Sequence, residues 1–378
     1  MEFMHYFKSR KGEMLNLLKE VVHLESPSLD KKAVDRCSHF IIKEFRNIGT
    51  KIIRYPQKDI GDLYTVQYPA LKSKLKKGSI LVLTHIDTVW PVGRIQNMPF
   101  YLSGQDIFGP GVLDMKAGLV MALYALKTLR ELNIEPRKNI IIFINSAEEI
   151  GNEAAYEVIQ KLARKSEYVL CLEPSLPGGR LKTQRKGRLV IRLDVTGKAA
   201  HAGSPEKGIN AIEELMDQLR SLKKLGRTKG TTLSTGLISG GEKANIVAEK
   251  SSATLDTRFW TNMHKQKILN ALRQLKPVRP GAKIRYTIES STPPMEKTEA
   301  SMKLLSLIRE IAGASFKMSL EEGKTGGGSD ASIASSLGIA TIDGLGPDGE
   351  GIHAENEHLV LPSLIQRTAL LTELLRQL

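Results

Sequence analysis

Cysteine is nearly absent. Cys37 and Cys171 are the only two in 378 residues, which excludes a disulfide framework and a four-cysteine zinc site. Long apolar runs are missing too. None approaches the roughly 18 residues that a membrane span needs; stretches such as the one in Asn139–Asn145 read as buried strands. Aromatic residues make up 5% of the chain. There is no internal repeat or low-complexity tract. The N-terminal MEFMHYFKSRKGEMLNLLKEVV scatters its charges and lacks the separate basic and apolar regions of a signal peptide. A cytoplasmic soluble protein is the expectation. With 41% hydrophobic and 25% charged residues, wholesale disorder is excluded. The length suits two domains or three, at roughly 100–200 residues each.

What the chain has in excess is positive charge, formally +14. Such a balance raises nucleic acid or another anionic partner. The excess is local. Between Arg180 and Thr292 stand 23 Lys and Arg against 9 Asp and Glu, while the remainder balances at 32 of each. Few aromatics interleave with these charges, which argues against stacking on nucleic-acid bases.

The patterning changes at the same place. Up to about residue 175, continuous apolar strands (Ser79–Val89, Asn139–Ser146, Tyr168–Glu173) alternate with helical stretches (Met115–Leu132, Gly151–Arg164). Two amphipathic helices are expected across 5–48. Buried strands alternating with helices predict a mostly parallel α/β sheet. After LPGGR at 176–180 the strands become half-buried, as in LVIRLDV. Their order, strand–helix–strand–strand–helix–strand, is the split βαβ arrangement of a ferredoxin-like domain. The expected division is 1–178, an inserted α+β domain at 179–292, and a return to the first domain at 293–378.

Candidate chemistry sits where buried strands end, which is where open α/β sheets bind ligands. Ser79–Val89 delivers His85 and Asp87, which share a strand face. By itself His-x-Asp suits a satisfied structural histidine. GPGVLDMKAG brings Asp114 to a turn before a helix, a place that also suits an N-cap. Glu148-Glu149 follows the next strand; the plainer reading is an acidic first turn, the other a metal ligand beside a general base. Glu173 follows the third strand. A Gly-rich turn before 329–337 lacks the lysine pattern of a nucleotide loop.

LTHIDTV, GPGVLDMKAG, SAEEIG, CLEPS, GKAAHAG, TGGGSDAS and GIHAENEH occur in that order. Together they resemble the co-catalytic zinc family of glutamate carboxypeptidase, acetylornithine deacetylase, succinyl-diaminopimelate desuccinylase and the aminoacylases, most of all the bacterial glutamate carboxypeptidase branch. The likeness runs from about residue 10 to the C-terminus. It implies two Zn2+ per subunit, with Co2+ or Mn2+ as substitutes. It gives His85 and Glu173 to one ion, Glu149 and His353 to the other, and Asp114 to both. Asp87 would orient His85, and Glu148 would be the general base. The Asp114–Met115 peptide would be cis. His201, supplied by a partner subunit's inserted domain, would stabilise the oxyanion, and Arg258, Asn245, Gly327 and Gly328 would contact substrate.

The implied protein is a homodimer paired through 179–292. It would hydrolyse an amide bond in a small peptide or N-acyl amino acid and release an amino acid with a free carboxylate. Glu rather than Asp at 173 points to the carboxypeptidase and deacylase branches and does not separate them. A deacylase acting on acetyl or succinyl groups is therefore the alternative. A non-catalytic binding protein on a peptidase scaffold is the alternative of another class.

Overall fold

The computed structural model describes residues 2–69 and 78–378. They form two compact units, Met1–Thr183 with Lys297–Lys324 and Ser329–Leu378, and Gln184–Glu296 with Thr325–Gly328.

In the first unit a six-stranded sheet runs in the order Lys51–Tyr55, Leu63–Tyr68, Asn139–Asn145, Ser79–His85, Tyr168–Cys171, Ala340–Ile342. The last four strands are mutually parallel, and the first two join as an antiparallel edge. All seven residues of Ser79–His85 are buried, as its unbroken apolar pattern requires of a strand covered on both faces. Val82, Ile142 and Leu170 pack in one core with Val120 and Met121 of helix Ala117–Glu131 and Leu370 and Leu374 of helix Leu361–Gln377. The fold class is mixed α/β with a parallel-centred sheet. Among the described residues, no helix is long and apolar enough to cross a membrane.

Three details depart from the sequence pattern. The N-terminal stretch forms three helices, Glu2–Ser9, Lys11–His23 and Lys31–Asn47, where two were expected. The added break near Arg10 lets Phe3 and Phe7, and separately Met14 and Leu18, reach the core. The strand from Ser79 stops at His85, because beyond it Thr88 pairs with the loop at Pro27. A second small sheet, Gly349–Glu350, His358–Val360, Asp106–Phe108 and Tyr101–Ser103, was not expected. Strands of two or three residues are too short to show a period.

The second unit is a four-stranded antiparallel sheet in the order Thr231–Gly240, Lys250–Phe259, Gly187–Thr196, Lys283–Thr292. Alternate residues Leu189, Ile191, Leu193 and Val195 face helices Ala211–Leu222 and Asn262–Arg273. The other face carries Arg188, Asp256 and Arg258, with Arg188 directly opposite Arg258. Asn210 and Thr261 cap the two helices by accepting from the N–H groups of Ile212 and His264.

Candidate metal centre

The parallel register places strand ends side by side: His85 lies opposite Asn145, and Leu83 opposite Cys171. His85, the Glu148-Glu149 pair and Glu173 therefore leave the sheet at one edge. Asp114 arrives from the turn between Asp106–Phe108 and helix Ala117–Glu131, where the Asp114–Met115 peptide is cis. His353 comes from the segment before His358–Val360 and holds a left-handed backbone, φ 60°, a conformation uncommon outside glycine and frequent at functional sites.

These side chains converge. Asp114 Oδ1 lies 3.1 Å from His85 Nε2, and Asp114 Oδ2 lies 3.4 Å from His353 Nε2. His85 Nε2 is 3.4 Å from Glu173 Oε1, and His353 Nε2 is 3.1 Å from Glu149 Oε1. Among the described residues two compact donor sets emerge, His85–Asp114–Glu149 and His85–Glu148–Glu173, each with its donor atoms within 4.8 Å of one another. Two donors held about 2.0–2.1 Å from one tetrahedral zinc stand about 3.3–3.4 Å apart, so the spacing and the N/O chemistry fit zinc. The excess of carboxylates over imidazoles fits divalent cations as well.

Asp87 is fully buried and works on the main chain. Its oxygens accept from the N–H groups of Glu148 and Glu149 at 3.1 and 3.2 Å and from Ser28 Oγ at 2.7 Å. The ring of His85 meets it twice, with Nδ1 3.0 Å from the Asp87 carbonyl and 3.5 Å from its carboxylate. Burial pushes Glu148 well above the ordinary carboxylate value; His85 opposes this, while Glu173, Asp330 and Glu149 add to it. Hydrogen bonds to Asp114 and Glu149 push His353 up to about 10. Burial alone would raise Asp114, but the two histidines outweigh it and hold the carboxyl far below its usual range.

A model of peptidase family M20/M25/M40 matches residues 81–377. The chain belongs to this family. Carboxypeptidase G2 of Pseudomonas sp. strain RS-16 is 27% identical over 362 residues, covering 94% of this chain and 86% of that protein. Among solved structures, aminopeptidase PepT of Bacillus cereus superposes with a TM-score of 0.79 at 21% identity, over 97% of this chain and 98% of its own. The YXEP protein of Bacillus subtilis, described as a dinuclear metal-binding peptidase of family M20, gives 0.73 at 14% identity over 98% of each chain. The family comprises zinc-dependent hydrolases, and this M20 chain is accordingly a metal-dependent hydrolase of the peptidase and amidohydrolase type.

The remaining sequence-predicted residues of this M20 protein lie in the second unit. His201 is exposed; its Nδ1 accepts from the Gly203 N–H at 3.0 Å. Asn245 stands beside it, its carbonyl accepting from the Ala202 N–H at 2.9 Å. Asp256 grips two guanidinium groups, Arg258 Nε at 2.8 Å and Arg188 Nε at 2.7 Å. The carbonyls of Gly327 and Gly328 accept from buried Arg185 at 3.3 and 2.7 Å.

Three polar residues next to the centre escaped the sequence reading. Asn145 donates to buried Asp330 at 2.8 Å and accepts from the Ala147 N–H, bracing the turn that carries Glu148. Glu357 is buried against the Asp114 turn. Asn145 closes an apolar strand and Asp330 precedes a helix, and no role was expected of either. Glu357 lay inside a quoted motif, yet nothing in its spacing marked it as buried.

Proposed function

We propose that the chain is a dinuclear zinc amidohydrolase that releases an amino acid with a free carboxylate, acting as a glutamate-carboxypeptidase-like exopeptidase. The observation that carries this reading is Asp114, which presents one oxygen toward His85 and the other toward His353. His85, Glu173 and Asp114 would hold one zinc; Asp114, Glu149 and His353 would hold the second. Bound there, the pair supplies Lewis acidity and a water acidic enough to ionise near neutral pH. Glu148 takes a proton from the attacking water and delivers it to the leaving amine nitrogen. Asp87 fixes the backbone under Glu148 and Glu149, so the base and a ligand share one support.

Arg258, flanked by Arg188, presents a planar donor set suited to a substrate carboxylate. The Arg185-held carbonyls of Gly327 and Gly328 fix the backbone of the glycine turn for substrate contact, and Asn245 adds a polar arm. His201 serves as oxyanion donor to a partner's centre in a homodimer. Strand Thr231–Gly240 supports pairing of subunits, since it is a sheet edge with Leu237 70% and Ile238 62% exposed.

A panel of peptides with C-terminal glutamate and of N-acetyl and N-succinyl amino acids, assayed on protein loaded with zinc or cobalt, tests the reading. Cleavage of the peptides is expected. Preference for the N-acyl amino acids would move the assignment to a deacylase. Absence of turnover on every member by fully metallated protein would overturn it in favour of a non-catalytic scaffold.

A further inference from the structure

Two glutamates follow His353 in GIHAENEH, and their surroundings differ sharply. Glu355 is exposed and pairs with Arg94 at 2.6 Å. Glu357 is 1% exposed and accepts four N–H groups. Its Oε1 receives the main-chain N–H groups of Leu113 and Asp114 at 3.0 and 3.1 Å. Its Oε2 receives the Gly111 N–H and the Trp90 indole, both at 2.9 Å. All four partners donate and none can accept. An ionised carboxylate, which accepts only, therefore matches them fully.

The four donors belong to two different segments, and Glu357 to a third. Trp90 lies in the loop that follows His85 and Asp87. Gly111, Leu113 and Asp114 form the turn that carries the shared oxygens. Glu357 itself stands four residues after His353. The approach is close. Gly111 sits at φ 70°, and a Cβ there would meet Thr88 Cγ2 at 2.5 Å. Without an internal acceptor, three adjoining N–H groups of the Asp114 turn would be buried unpaired, which the protein interior penalises heavily.

We propose that Glu357 is a positioning residue for the dinuclear centre: its carboxylate locks the loops of His85, Asp114 and His353 together and sets Asp114 between the two histidines. This rests on the metal-centre reading above. Glu357 is not catalytic, because its contacts are with the protein's own N–H groups and not with the reacting atoms.

Glu357→Gln is the sharp variant, since an amide would turn its own N–H groups toward two of the four donors. Zinc affinity is measured by competition with a chelating dye, the centre by the visible spectrum of the cobalt form, and the metal-free fold by circular dichroism. The expected result is a folded protein whose zinc affinity falls about 10–100-fold, the usual cost of losing such a support, with a changed cobalt spectrum and a fall in kcat rather than a rise in KM. Trp90→Phe, which keeps the carboxylate and three donors, is expected to stay close to the parent in affinity. If Glu357→Gln binds zinc as tightly as the parent with an unchanged cobalt spectrum, the proposal is overturned. Should that variant not fold, Glu357→Asp replaces it: loss of affinity in a folded protein upholds the proposal, and undiminished affinity overturns it. A parent chain that binds no zinc would instead overturn the metal-centre reading, and this proposal with it.

Discussion

Asp114 is the residue on which the centre turns, and its neighbours divide into those that meet it directly and those that hold it. Glu148 is of neither kind. It sits among the donor atoms of His85 and Glu173, and no hydrogen bond ties its carboxylate to Asp114. On the proposed assignment, in which Glu148 is the base and His85, Glu173 and Asp114 are the ligands, Glu148→Gln is expected to retain metal while losing turnover by about 10²–10⁴, the usual range for a general base. Metal analysis alongside kcat checks this, and an active variant would refute the assignment. Asp256 plays the holding part for Arg258 and Arg188. Asp256→Asn removes the anion that orients both, and KM should rise about tenfold with kcat little changed, the scale of one charged hydrogen bond. Legibility at this scale was uneven. His85, Asp114, Glu149 and Glu173 stood out because each ends a buried strand or opens a helix. Arg188 and Glu357 did not, because their partners lie on other strands or far along the chain.

At the scale of elements, polar caps and ties fix geometry that apolar pattern leaves loose. Glu214 shows this within the second unit. From helix Ala211–Leu222 it accepts the N–H groups of Val278 and Arg279 at 3.0 and 2.8 Å, joining the helix to the loop after Asn262–Arg273. Burial alone would raise its carboxyl; the Val278 N–H, Gln218 and Arg279 outweigh burial and hold it below the usual range. A depressed pKa contributes stability above the unfolded value, about 4.3, and that contribution is lost as pH falls through the folded value. Urea unfolding should therefore show Glu214→Gln least stable relative to the parent near pH 7, with the gap closing on acidification. A gap that does not change with pH would contradict the tie. The main strands and helices were legible from period and caps. The break at Arg10 and the small sheet holding His358–Val360 were not, since both answer to packing between distant segments.

For the whole molecule, the proposed role of His201 makes two chains contribute to one working site. If His201 acts across subunits, a mixture of His201→Ala and Glu148→Gln dimers, each nearly inactive, should recover about a quarter of parental activity after exchange, because the mixed dimer holds one complete site. No recovery, with exchange shown by sedimentation of tagged subunits, would place His201 in its own subunit's site or in none. The positive charge belongs to this scale too. Its confinement to 180–292 puts most of it on the unit that carries Arg188 and Arg258. A field of that sign speeds the arrival of carboxylate substrates more than it strengthens their binding.

Sequence alone determined which strands are covered on both faces, where most of the main helices lie, and which residue types stand at successive strand ends. These follow from local rules of period, capping and burial, and each can be read within a dozen residues. Ordered along the chain, they also sufficed to point to the family. Tertiary structure decided the rest: that Asp114 offers one oxygen to each histidine, that Asp87 supports the Glu148-Glu149 backbone, and that Glu357 ties three segments together. Those relations join groups up to 267 residues apart. The physical reason is that a buried carboxylate is satisfied by whichever N–H groups packing brings to it, and no local pattern records their source.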